Sequence, residues 1–124
     1  MIWVLVAIGG AAGSVLRYAA NRVAAHYFGA DTVVGILAVN VVGSFALGFL
    51  ATVFIQRSGL PIELRAMATV GLLGGFTTFS TLAYDGVRLL SGGEYMRAGL
   101  SLGANVVIGL LAAWLGVIAG RAAG

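Results

Sequence analysis

Four stretches without a charged residue, Ile2 to Leu16, Thr32 to Gln56, Ala66 to Tyr84 and Ala98 to Gly120, leave this chain little choice of solvent. Roughly 20 apolar residues in a helix suffice to cross the hydrocarbon of a bilayer. With 60% of its 124 residues apolar and only 9% charged, the chain is not a water-soluble globular domain. The pattern predicts an all-α membrane protein: one domain over 1–124 with four transmembrane helices near 2–26, 32–56, 61–90 and 95–120.

The third stretch does not read as an ordinary span. Its centre is Gly71-Leu72-Leu73-Gly74-Gly75-Phe76-Thr77-Thr78-Phe79-Ser80-Thr81, where paired glycines, paired β-branched threonines and hydroxyls all loosen a helix. From Pro61 to Leu90, one continuous helix would run about 45 Å at 1.5 Å per residue, more than the core needs. The expectation is a third helix broken at its centre, near 74–80. Two half-helices meeting there release carbonyls at one end and amides at the other. Loose backbone at membrane depth survives only inside protein or along a wet cavity, so the break predicts an ion or substrate site.

Charge placement adds a second expectation. The net charge of +3 comes from seven arginines and no lysine, scattered along the chain. Nucleic-acid binding therefore has no support. If the spans alternate, Arg57, Arg65 and Arg121 share a side with the amino terminus, and Arg17, Arg22, Arg88 and Arg97 face the other. The positive-inside rule then gives almost no preferred orientation. One chain can insert both ways and pair head-to-tail with an inverted copy, unless Arg17 lies too deep to count. The amino-terminal run from Met1 to Ile8, followed by Ala11-Ala12-Gly13-Ser14, has the outline of a signal peptide but no positive leading region, so it is read as the first span.

Polar and small residues form tracks on the other helices. Gly9, Gly13 and Arg17 fall at i, i+4 and i+8 on the first, a small stripe ending in a guanidinium that either snorkels or gathers anions. His26, in the connection that follows, reads as a loop residue. Asn40 and Ser44 share a face of the second helix, where Asn40 either glues helices or faces a polar pathway. Arg57, Ser58, Gly59 and Pro61 mark the next turn. Asp85 and Arg88 read as an interfacial pair. On the fourth helix Ser101, Asn105 and Gly109 form an inward stripe, Gly99 and Gly103 a small-xxx-small pair, and Trp114 a belt anchor.

The missing residue types exclude whole classes of chemistry. There is no cysteine, and no acidic or histidine cluster with metal-ligand spacing, so the chain is not read as an enzyme. The glycine-rich run lacks the lysine of a phosphate-binding loop. Amides, hydroxyls and the positive edges of phenyl rings remain, and such a lining replaces an anion's water without the tight hold of a fixed cation.

Gly74-Gly75-Phe76-Thr77-Thr78-Phe79-Ser80-Thr81, with Gly10, Gly13 and Arg17 upstream and Asn40 between, resembles the Fluc/CrcB fluoride channels over nearly the whole chain. The resemblance implies an antiparallel dual-topology homodimer in the cell membrane, with two narrow fluoride pores that export fluoride passively and one structural sodium ion at the dimer centre. It further implies that the carbonyls of Gly74 and Thr77 ligate sodium. Asn40, Phe79, Ser80, Thr81 and Asn105 would then line the anion pore, and Arg17 would sit at the vestibule. Two positions depart from the pattern: Leu82 stands where relatives have a second pore phenylalanine, and Gly109 near where they place a hydroxyl. Asp85 takes the place of a glutamate. The competing expectations are a small dual-topology, proton-coupled exporter of cationic drugs, which needs a carboxylate facing its cavity, and a non-transporting helical subunit in which Asn40 and Asn105 only join helices.

Overall fold

The computed structural model describes residues 1–57 and 59–124; Ser58, placed in the expected turn, lies outside the described residues. All regular structure among them is helical: α1 (Ile2–Phe28), α2 (Val34–Gln56), α3 (Ile62–Ala66), a π-wound segment (Met67–Leu73), α4 (Gly74–Phe76), α5 (Ser80–Ser91) and α6 (Tyr95–Ala123). Four spans are long and apolar enough to cross a membrane, Ile2–Phe28, Val34–Gln56, Ile62–Ser91 and Tyr95–Ala123. The protein is thus a multi-pass membrane protein.

The helices pack pairwise, and α1 also touches α2. α1 lies along the first half of the third span, while α2 lies along α6 and α5 also rests on α6. Glycines make the close approaches possible. A Cβ on Gly9 would strike the Met67 carbonyl, one on Gly13 the Leu72 carbonyl, and those on Gly71 and Gly75 would come within 2.7 Å of the Val6 and Gly10 carbonyl oxygens. Two four-spaced glycine stripes therefore face each other across α1 and the third span, the close contact that small residues permit where no water drives helices together. Between α2 and α6, Gly48 meets the Ala113 carbonyl and Gly116 the Phe45 carbonyl in the same way. By contrast, the expected Gly99 and Gly103 pair packs against nothing within 4 Å.

The helix ends confirm that spans alternate. Arg97, in the first turn of α6, donates to the Asp31 backbone carbonyl at 3.2 Å and pairs with the Asp31 carboxylate at 3.5 Å, so the starts of α2 and α6 lie together. Their far ends also meet, with Gly124 against the Gln56 side chain. Arg65, beside that end, donates to the carbonyls of Leu60 at 3.1 Å and Arg57 at 3.5 Å. Asp85 and Arg88 pair at 3.7 Å, as the spacing predicts.

The third span departs from the expectation of two separate half-helices. It is one bent span, Ile62–Ser91, and its loss of α geometry is more extended than a gap at 74–80. Met67–Leu73 is π-wound, Gly74–Phe76 returns to a single α turn, and Thr77 to Phe79 lie outside the regular helix, with Thr77 extended at φ −87°, ψ 159° and Phe79 already helical at φ −91°, ψ −38° as the cap of α5. The glycines that loosen the helix are held by α1 on one side, so the chain bends across these residues without coming apart.

Candidate functional site

The bend leaves backbone groups that a continuous helix would pair, and side chains from α2 and α1 take them up. In a regular helix the Thr78 N–H would donate to Gly74; here it donates to Asn40 Oδ1 at 2.9 Å. Asn40 Nδ2 in turn donates to the Thr78 carbonyl at 3.0 Å. One amide thus satisfies both backbone groups of a residue that is only 8% exposed, where an unpaired group would cost about 1–3 kcal/mol. The Thr81 N–H bonds to Thr78 Oγ1 at 3.3 Å, and the Thr77 carbonyl accepts from Arg17 Nη1 at 3.3 Å. Arg17 is half-buried and reaches the bend.

Asn40 also joins the polar stripe of α6. Its Nδ2 donates to Asn105 Oδ1 at 2.8 Å, and Asn105 Nδ2 donates to the Ser101 carbonyl at 2.8 Å. Ser101 and Asn105 are buried, at 5% and 7% exposure, as an inward stripe requires. Gly109 is buried too, and a Cβ there would stand 3.8 Å from Ser44 Oγ. A hydroxyl does occupy that level of the molecule; it comes from α2 and not from α6.

Around these contacts opens a cavity of about 480 Å³, lined by Asn40, Gly43, Ser44, Leu47, Thr69, Leu73, Gly74, Thr77, Thr78, Phe79, Leu82, Asn105 and Val106. Among the described residues, none of the lining side chains is ionisable. The structure therefore brings Asn40, Gly74, Thr77, Phe79 and Asn105 to one place. Ser80 and Thr81 are exposed on the first turn of α5 and connect to the lining through Thr78, whose Oγ1 lies 3.4 Å from Ser80 Oγ and donates to Thr81 Oγ1 at 3.3 Å. Arg17 stands apart from the lining and touches it through the Thr77 carbonyl.

Phe79 is 79% exposed although it lies at the centre of a membrane span. A Cβ on Gly74 would meet only the Thr69 carbonyl, at 3.8 Å, so the backbone is open there as well. Sequence reasoning missed three participants. Thr78 is the buried hub; a threonine shortly before a new helix is a capping signal that would have marked it. Gly43, one turn after Asn40, leaves room for the Thr77 methyl. Thr69 lines the cavity from the π-wound segment, and its hydroxyl donates to the Arg65 carbonyl at 2.8 Å.

The carbonyls of Gly74 and Thr77 have the chemistry a hard cation would need. Gly74 loses its helical donor to Asn40, and the extended backbone at Thr77 turns that carbonyl away from the helix pattern. Oxygen donors suit a hard cation, and one chain offers too few for a complete shell. The residues fit half of such a site.

Four spans around a neutral polar cavity, built where one of them loses α geometry, define a multi-pass membrane protein. The family described as "CrcB-like protein, Camphor Resistance (CrcB)" matches residues 4–117, nearly the full length. The chain belongs to that family. It is 41% identical over 118 residues to a protein of Rhizobium etli, covering 95% of this chain and 94% of the other. It is 40% identical over 116 residues to one of Magnetococcus marinus, covering 94% of each. It is also 37% identical over 118 residues to one of Hydrogenovibrio crunogenus, covering 95% of this chain and 89% of the other. Each of these relatives is named fluoride-specific ion channel FluC.

Proposed function

We propose that this protein is a fluoride-selective channel that lets fluoride leave the cytoplasm passively. The observation that carries this reading is the uncharged cavity at the bend, furnished with amide and hydroxyl groups and one phenyl ring. Fluoride is small and strongly hydrated, so it enters only where donors replace its water. A fixed lysine or arginine in the lining would hold it, whereas neutral donors and the positive edge of Phe79 permit both entry and release. In this reading Phe79, Ser80, Thr81 and Asn105 line the anion path, Asn40 stands at its junction with the bend, and Arg17 gathers anions toward it.

The reading extends to assembly. The exposed Phe79, the open backbone at Gly74 and the exposed hydroxyls of Ser80 and Thr81 suit a second copy of the chain, packed antiparallel, so that each dimer holds two pores. Gly74 and Thr77 of each copy would together supply four carbonyls to a central sodium ion, whose contribution is a fixed positive charge tying the two bends. The proton-coupled exporter loses support because, among the described residues, no carboxylate lines the cavity.

Efflux from proteoliposomes tests the reading. Vesicles loaded with fluoride and opened electrically by an ionophore shunt are expected to release fluoride, read by electrode, while matched chloride-loaded vesicles retain their content. Equal release of both anions rejects selectivity, and release of neither rejects the channel.

A further inference from the structure

We infer that Thr78, fastened by Asn40, is a positioning residue that fixes the direction of the Thr81 hydroxyl hydrogen, and that Asn40 acts through Thr78 and does not itself donate to the anion. The inference rests on the fluoride-channel reading and deepens it. It follows from counting hydrogens.

A backbone N–H only donates and a backbone carbonyl only accepts, so the contacts of Asn40 with Thr78 leave one orientation for its amide. Oδ1 must face the Thr78 N–H, and Nδ2 the Thr78 carbonyl. The second Nδ2 hydrogen goes to Asn105 Oδ1 at 2.8 Å. Both amide hydrogens of Asn40 are then engaged, and none is left for a solute. Asn105 is oriented by the same logic, because the Ser101 carbonyl accepts from its Nδ2. It keeps one amide hydrogen.

The hydroxyl of Thr78 is constrained in the same way. It accepts from the Thr81 N–H at 3.3 Å and its single hydrogen goes to Thr81 Oγ1 at 3.3 Å, which leaves Ser80 Oγ, 3.4 Å away, to act as a donor toward Thr78 Oγ1. Thr81 Oγ1 therefore acts as acceptor toward Thr78 and keeps its own hydrogen for the outer side, where the residue is exposed. Donating onward from a hydroxyl that already accepts a bond strengthens the donor. The chain Asn105, Asn40, Thr78, Thr81 thus converts the fixed polarity of the peptide backbone into a fixed polarity of an exposed hydroxyl. An anion needs hydrogens, not lone pairs, along its path.

The test is an epistasis series in the proteoliposome fluoride assay. Thr78→Val, which keeps the shape and removes the hydroxyl, is expected to lower fluoride efflux at least about tenfold, equivalent to roughly 1.4 kcal/mol, and Thr78→Ser to recover most of that loss. Thr81→Val, at an exposed position, is expected to lower efflux by a similar factor, and the double variant to fall no further than the lower single one. Hydrogen exchange adds a readout independent of flux: the Thr78 amide is expected to exchange faster in Asn40→Ala, and the Thr81 amide faster in Thr78→Val. Losses that multiply between positions 78 and 81, or unchanged exchange at both amides, overturn the inference while leaving a conducting wild type intact. A wild type that passes no fluoride sinks the channel reading itself. Should Asn40→Ala not assemble, the series at positions 78 and 81 decides the matter alone.

Discussion

Arg17 touches the bend from α1 through one carbonyl contact, that of Thr77, and does so as a half-buried cation. If its main effect is to raise the local concentration of anions, the effect must fade as salt screens the field, because the screening length shrinks from about 30 Å at 0.01 M to about 3 Å at 1 M. Arg17→Gln keeps a donor for the Thr77 carbonyl and removes the charge. It is expected to lower fluoride efflux several-fold at low ionic strength and by much less in high salt; a deficit of equal size at both would assign Arg17 to holding the bend. At this scale Asn40, Asn105 and Arg17 were legible in the sequence because a polar side chain inside an apolar helix demands a partner. Thr78 was not singled out, because the capping signal before α5 falls on two adjacent threonines and only burial decides between them. The pattern of neutral donors was visible, and the direction of their hydrogens was not.

Among the elements, the glycine stripes separate two roles that composition alone leaves mixed. Gly13 sits where a Cβ would overlap the Leu72 carbonyl, a backbone atom that cannot swing aside. Gly13→Ala is therefore expected to cost about 1–3 kcal/mol by overpacking, seen as earlier thermal loss of helical signal in detergent. Gly103 has nothing within 4 Å. Gly103→Ala is expected to leave that helical signal unchanged; a loss of oligomer without loss of helix would assign the Gly99 and Gly103 pair to a partner chain, and a loss of helix would contradict the packing described above. Both stripes were readable as small-xxx-small patterns, but which pair meets a neighbour depends on the rotation of each helix, and a low-contrast apolar surface does not encode that rotation. The π winding of Met67–Leu73 was equally silent, since nothing in Met-Ala-Thr-Val-Gly-Leu-Leu distinguishes it from an α turn.

For the whole molecule, the open cavity and the exposed hydroxyls of Ser80 and Thr81 leave polar surface at mid-span that lipid does not satisfy. The proposed remedy is an inverted copy, and the near-balance of arginines at the two ends agrees with it. A tag on the carboxyl terminus is expected to be reached by a membrane-impermeant reagent in about half of the chains from either side; labelling from one side only would exclude the antiparallel arrangement. The π-wound segment has a further consequence for the chain's tolerance of insertions and deletions. It sits against α1, while Thr78 just beyond it meets Asn40 on α2, so the segment sets the phase between the two halves of the molecule. A π turn holds one residue more than an α turn, so excising one codon from Met67–Leu73 lets the segment rewind to α geometry with Thr78 still in reach of Asn40, whereas inserting one turns every later residue by about 100° around the axis and swings Thr78 away although no contact residue has been altered. Point changes and a one-residue deletion there should be absorbed; an insertion should not.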